Sequence, residues 1–76
     1  MNAIERIQQE YLCQQGIECT ADNVRDYGLD TTCLHVIYED TDCWVVLYKD
    51  DSPGFRQRVV NIVYKDDEKR MVGVEI

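Results

Sequence analysis

Chain breakers, cross-links and cations are all scarce in this sequence. One proline and four glycines among 76 residues exclude a Pro/Gly linker and a low-complexity tract, and the chain reads as one small acidic domain over residues 1–76. Nowhere do apolar residues continue long enough to span a bilayer. Met1-Asn-Ala-Ile-Glu-Arg6 also places polar and charged residues where a secretory signal needs an apolar core, so a cytoplasmic protein is expected. Its four cysteines, Cys13, Cys19, Cys33 and Cys43, include no CxxC pair. In a reducing compartment they are expected to be buried free thiols rather than a disulfide frame.

The shortage of cations is local. Lys and Arg number 8 against 15 Asp and Glu, for a net charge of −7. Residues 1–48 hold nine acids against Arg6 and Arg25, whereas residues 49–76 hold six charges of each sign. A one-signed half repels nucleic-acid phosphates and anionic membranes and attracts basic surfaces. Direct nucleic-acid and membrane partners are therefore not expected, and a protein with a basic surface is.

What is present is 45% hydrophobic and 30% charged, the composition of a folded domain near the lower length limit for a single core. Asn2 three residues before Glu5, then Ile4, Ile7, Tyr11 and Leu12 on one stripe, and Gly16 as stop, predict a helix over about 3–15. Ile17 would touch Leu12 in a Schellman ending. Thr20 as cap and Gly28 as terminator allow a short second helix anchored by Val24 and Tyr27, with an irregular turn as the alternative.

From Thr31 the apolar period becomes two. Thr32–Tyr38 and Cys43–Lys49 read as a hairpin around Glu-Asp-Thr-Asp. Pairing Tyr38 with Cys43 puts Leu34, Val36, Tyr38, Cys43, Val45 and Leu47 on one face, and Cys33, His35, Ile37, Trp44, Val46 and Tyr48 on the other. Pro53-Gly54 suits a type II turn. Arg58–Lys65 and Met71–Ile76 form a second hairpin with a three- or five-residue loop, collecting Val60, Ile62, Tyr64, Val72, Val74 and Ile76 on one side. The expected fold is α+β: an N-terminal helix, with or without the short second one, packed on a four-stranded antiparallel meander. A helical pair before a β-wing is the alternative arrangement, and the acidic N-terminal half disfavours DNA binding by it.

No motif names a reaction, and no cofactor or metal is expected. Cys33 and His35 could form an activated thiol pair. Neighbours at i and i+2 on a strand stand about 7 Å apart, however, and no orienting group accompanies them. Cys33, His35 and Cys43 lack zinc-ligand spacing, and Cys43 falls on the opposite face. Cys13 and Cys19 flank the end of the first helix and could approach each other, although their spacing matches no known pattern.

Two surfaces are expected to bind. The acidic series Glu18, Asp22, Asp26 and Asp30 recurs every four residues, with Glu39, Asp40 and Asp42 in the hairpin turn. Carboxylates about 6 Å apart approximate the phosphate spacing of a nucleic-acid strand, at the cost of like-charge repulsion along a helix. The second surface is the apolar aromatic face of His35, Ile37, Trp44, Val46 and Tyr48, too large a patch for a monomer to leave bare. The sequence thus suggests a small non-enzymatic acidic binding protein, in its narrower form a phage or mobile-element inhibitor docking on nucleic-acid-handling machinery. The alternative is a homodimerising or scaffold-docking domain that uses the apolar hairpin face.

Overall fold

A computed structural model describes residues 2–76, apart from the side chain of Phe55. The α+β class, both helices and the four-stranded antiparallel meander are all present, with sheet order β1-β2-β3-β4. The chain divides into two compact units, Met1–Thr31 and Thr32–Ile76.

The first unit holds α1 (Ala3–Gln14) and α2 (Ala21–Tyr27). Asn2 caps α1, its Oδ1 accepting from the Glu5 N–H at 2.9 Å. The helix ends as the sequence predicts. Gly16 takes φ +72°, Gly16 N–H donates to the Cys13 carbonyl at 3.0 Å, and Ile17 N–H donates to the Leu12 carbonyl at 2.9 Å. These two bonds define a Schellman ending, which satisfies carbonyls that the last turn otherwise orphans. Thr20 caps α2 through the Asn23 N–H at 3.2 Å. Seven residues of helix are marginal alone, and the support comes from a residue that the periodicity does not single out. Gln8 is 4% exposed. Its Nε2 donates to the Leu29 carbonyl at 2.6 Å and its Oε1 accepts from the Leu29 N–H at 2.8 Å. The amide thus supplies both partners that a neighbouring strand would give Leu29.

That clasp explains Gly28. Gly28 ends α2 as expected, but its φ of −75° is open to any residue, so no left-handed turn demands a glycine here. Space is the reason: a Cβ on Gly28 would lie 2.4 Å from the Val24 carbonyl oxygen and 2.8 Å from Gln8 Oε1.

A 3-10 turn, Thr31–Cys33, falls at the division, and the second unit carries β1 (Leu34–Glu39), β2 (Cys43–Ser52), β3 (Phe55–Tyr64) and β4 (Val72–Glu75). The central strands are longer than the sequence suggests. Gly54 takes φ +79°, as the third position of a Pro-Gly type II turn requires, and lets pairing run unbroken from Ser52↔Phe55 to Cys43↔Tyr64. The β3–β4 register matches expectation in its faces, with Val60↔Val74 and Ile62↔Val72, although pairing stops at Ile62↔Val72 and leaves a longer connection than three or five residues.

The first hairpin departs from expectation. Glu39 pairs with Trp44 and Tyr38 with Val45, rather than Tyr38 with Cys43. That shift of two residues keeps every face. A β-bulge does not: between Val36↔Val46 and Tyr38↔Val45 the register shifts by one, with Ile37 unpaired. Leu34 and Val36 therefore join the face of Val46 and Tyr48, while His35 moves opposite Leu47. Cys33 sits in the 3-10 turn rather than on a strand.

Three substitutions test the first unit in urea unfolding. Gln8→Ala should cost about 1–3 kcal/mol, because Leu29 loses both partners. Gly28→Ala should cost at least as much, and Gly16→Ala, in open space with only its φ to strain, about 1 kcal/mol. A harmless Gly28→Ala would overturn the clasp.

Candidate protein-binding surfaces

Residues directly opposite one another in an antiparallel ladder share a face, so the pairings sort the sheet's side chains into two sets. One face carries Leu34, Val36, Trp44, Val46, Tyr48, Val59, Asn61 and Val63. Its members Leu34, Val46 and Val63 are, among the described residues, the buried apolar side chains of the sheet. The other face carries two cross-strand rows, Tyr38–Val45–Ile62–Val72 and His35–Leu47–Val60–Val74. No residue in either row is buried. Tyr38 is 57% exposed, Val72 47% and Val74 52%.

This corrects the aromatic face read from the sequence. Of His35, Ile37, Trp44, Val46 and Tyr48, the last three stay together, but Val46 is fully buried and unavailable to a partner. His35 lies on the opposite face, and Ile37, 55% exposed, occupies the bulge. The open apolar surface is the Val45–Leu47–Val60–Ile62 face. Parity in the sequence already grouped Tyr38, Val45 and Leu47 in the first hairpin and Val60, Ile62, Val72 and Val74 in the second; the bulge, which adds His35 and removes Leu34 and Val36, carries no sequence signal such as glycine.

The acidic residues fall into two groups. Glu18, Asp22, Asp26 and Asp30 all belong to the first unit and are exposed. Arg25 lies between Asp22 and Asp26, at 3.2 Å and 3.3 Å from their carboxylates, which relieves the like-charge repulsion expected along this helix. Glu39 ends β1, and Asp40 and Asp42 belong to the β1–β2 turn; Glu39 and Asp40 have structural work. Asp40 Oδ1 accepts from the Asp42 and Cys43 N–H groups, both at 2.8 Å, an Asx-type turn. Those two bonds hold its carboxyl below the usual range. Lys65 Nζ donates to Glu39 Oε2 at 2.7 Å. This bond and its charge lower the Glu39 pKa, with a smaller pull from Trp44. The same ammonium stands 5.0 Å from the Trp44 ring centroid, a cation–π contact that orders this end of the sheet.

The meander also sorts charge. The β1–β2 and β3–β4 turns lie at one end of the sheet and the β2–β3 turn at the other. Residues 39–42 and 65–70 carry six acids against Lys65, Lys69 and Arg70. Residues 49–58 carry Asp50 and Asp51 against Lys49, Arg56 and Arg58. Lys49 and Arg58 lie opposite each other on the open face and both contact Asp51, at 3.5 Å and 3.2 Å. The apolar rows thus run between an acidic end and a weakly basic one.

Thiol chemistry finds little support on the sheet. Cys33 and His35 are divided between a turn and a strand. Desolvation first, and the adjacent Asp40 carboxylate second, push the Cys43 thiol up, away from the reactive thiolate. Among the described residues no group of three or more His, Cys, Asp or Glu could hold a metal ion, and no helix is long and apolar enough to cross a membrane. Cys13 and Cys19 are exposed rather than buried. Comparison with family models, with curated proteins and with solved structures finds no match to this chain.

The turn carboxylates set an acid limit. A carboxyl whose folded pKa is depressed contributes stability that is complete above its unfolded value and lost as pH falls through the lower folded one. Stability should therefore decline on acidification below the ordinary carboxylate range. Asp40→Asn should flatten that decline in thermal melts taken across pH, since the amide keeps an acceptor but cannot titrate. An unchanged acid profile would place the sensitivity elsewhere.

Proposed function

We propose that the protein is a binding module acting through surface association, and that a second copy of the chain occupies its apolar sheet face. The observation carrying this reading is the pair of unburied cross-strand rows, seven apolar residues and His35. Monomers rarely leave a contiguous patch of that kind bare.

Charge selects a second copy as occupant. Two sheets packing face to face lie about 10 Å apart with strands within about 30° of each other. A two-fold axis in the plane of contact and perpendicular to the strands places each acidic end over the partner's basic end. Like ends meet only in the other arrangement, with the axis along the strands, so the polarity fixes orientation as well as partner. The rows supply the apolar centre of an interface of about 800 Å² per partner, and the charged ends its rim.

The acidic first unit supports a second reading, in which the assembled protein engages a basic protein such as nucleic-acid-handling machinery. Asp22 is favourably presented for that contact, its side chain 81% exposed. Replacing Asp22, Asp26 and Asp30 with Asn should then reduce low-salt capture of that basic protein and leave self-association unchanged.

Sedimentation equilibrium tests the main reading. The wild-type chain should be dimeric at micromolar concentration. Val74→Glu, at an exposed edge position that tolerates charge in the folded monomer, should weaken association by about 30-fold or more, the effect of removing an interface residue worth about 2 kcal/mol. A wild-type monomer at high concentration, or a Val74→Glu dimer of unchanged affinity, overturns it.

A further inference from the structure

Independently of the sheet, we propose that Cys13 and Cys19 form a dithiol site that reacts with low-molecular-weight disulfides and closes into an intramolecular disulfide. Both thiols are free and exposed, and both line one shallow groove of about 310 Å³, with Gln9, Gly16, Ile17 and Glu18 completing it. They therefore face a common space reached by small solutes.

The backbone explains how residues six apart share that groove. Cys13 lies on the last turn of α1, and Gly16, at φ +72°, reverses the chain so that Ile17 N–H reaches back to Leu12 at 2.9 Å. The reversal returns the following residues along the helix end. Cys19 then occupies the apex of a tight turn, in which Thr20 N–H donates to the Glu18 carbonyl at 3.0 Å. Asn23 Nδ2 donates to the same carbonyl at 2.8 Å. The Cys19 backbone is thus held at the entry to α2. Nothing crowds Gly16, where an added Cβ would meet no atom within 4 Å, so no packed side chain stands at the joint, and closure requires the two Cα atoms to come to about 4.4–6.8 Å.

The chemistry balances in two exchange steps. One cysteine, as thiolate, attacks a sulfur of the disulfide RSSR; its S–S bond breaks, a mixed protein–SR disulfide forms and RS⁻ leaves. The second cysteine attacks the protein sulfur of that mixed disulfide and expels the second RS⁻. The two thiols are oxidised, RSSR is reduced to two RSH, and the two thiol protons end on the leaving groups. The second step is intramolecular, with an effective concentration on the order of millimolar for so short a connection. Closure then outcompetes a second external thiol wherever free RSH is below millimolar.

Oxidised glutathione, presented to the full chain together with about 0.1 mM reduced glutathione, is the probe. The closed form should exceed the mixed disulfide by about tenfold, the ratio of effective to external thiol concentration. Glu18 lies between the two cysteines, and Asp22, Asp26 and Asp30 lie between Cys19 and Cys33, so a protease cutting after both acids separates all three thiols unless they are bridged. A linked pair of peptides carrying Cys13 and Cys19, in a chain lighter by two hydrogens, is the expected product. Cys13→Ser should stop at the Cys19 mixed disulfide. Stable glutathione adducts on both cysteines, bridges to Cys33, Cys43 or a second chain, or no reaction at these two thiols would overturn the site.

Discussion

Everything the sheet presents depends on the register of β2 against β3, and that register depends on the turn at Pro53-Gly54. A two-residue connection with Gly54 at φ +79° leaves no slack, so Ser52 faces Phe55 and each following pair is determined back to Cys43 and Tyr64. Side chains alternate with a period of two, and a slip of one residue would exchange the two faces. Val46 and Val63, fully buried in the observed register, would then be replaced by their neighbours, and burial of a valine is worth about 1.5–3 kcal/mol each. The two outer strands inherit their faces from this central ladder.

The first unit rests on a different constraint, the obligation of buried backbone polar groups to find partners. After α2 the chain passes Gln8 at Leu29, where no strand is available to pair with it. The Gln8 carboxamide has one donor side and one acceptor side, and it meets the Leu29 carbonyl and N–H together. Asp40 does comparable work in the β1–β2 turn, with one carboxylate oxygen serving two N–H groups. In both places a side chain that the hydrophobic pattern passes over decides where the backbone goes.

Those same residues mark what was legible. Local grammar was readable wherever one residue type has one job: Asn2 and Thr20 as caps, Gly16 with Ile17 as a Schellman ending, and Pro53-Gly54 as a turn. The β3–β4 faces were readable because only one parity gathers Val60, Ile62, Val72 and Val74. The apolar surface was half legible for the opposite reason. A bulge at Ile37 costs one unpaired residue and needs no glycine, so β1 alternates in sequence as a regular strand would, and His35 and Leu34 exchange faces unannounced. Gln8 was invisible because its partner is a backbone 21 residues away, and Gly28 was readable as an end of α2 although the space it leaves for Gln8 was not. The acidic series drew attention by its repulsion, which Arg25 relieves.

That last point bears on how charge and apolar area divide the task of recognition. Arg25 and its two aspartates are solvent-exposed, and exposed pairs contribute about 0–1 kcal/mol. Their worth falls further in salt. Each apolar residue of the open face removes more than that from water when covered, even discounted for the half-burial of Val45, Leu47, Val60 and Ile62. In the proposed assembly the affinity would therefore reside in the two cross-strand rows. The acidic surface has a different office, since long-range fields raise encounter rates and penalise wrong partners more than they tighten right ones. In that assembly, a chain acidic in its first unit and polarised from end to end along its sheet would use charge to set approach and orientation, and the sheet face to set how long the contact lasts.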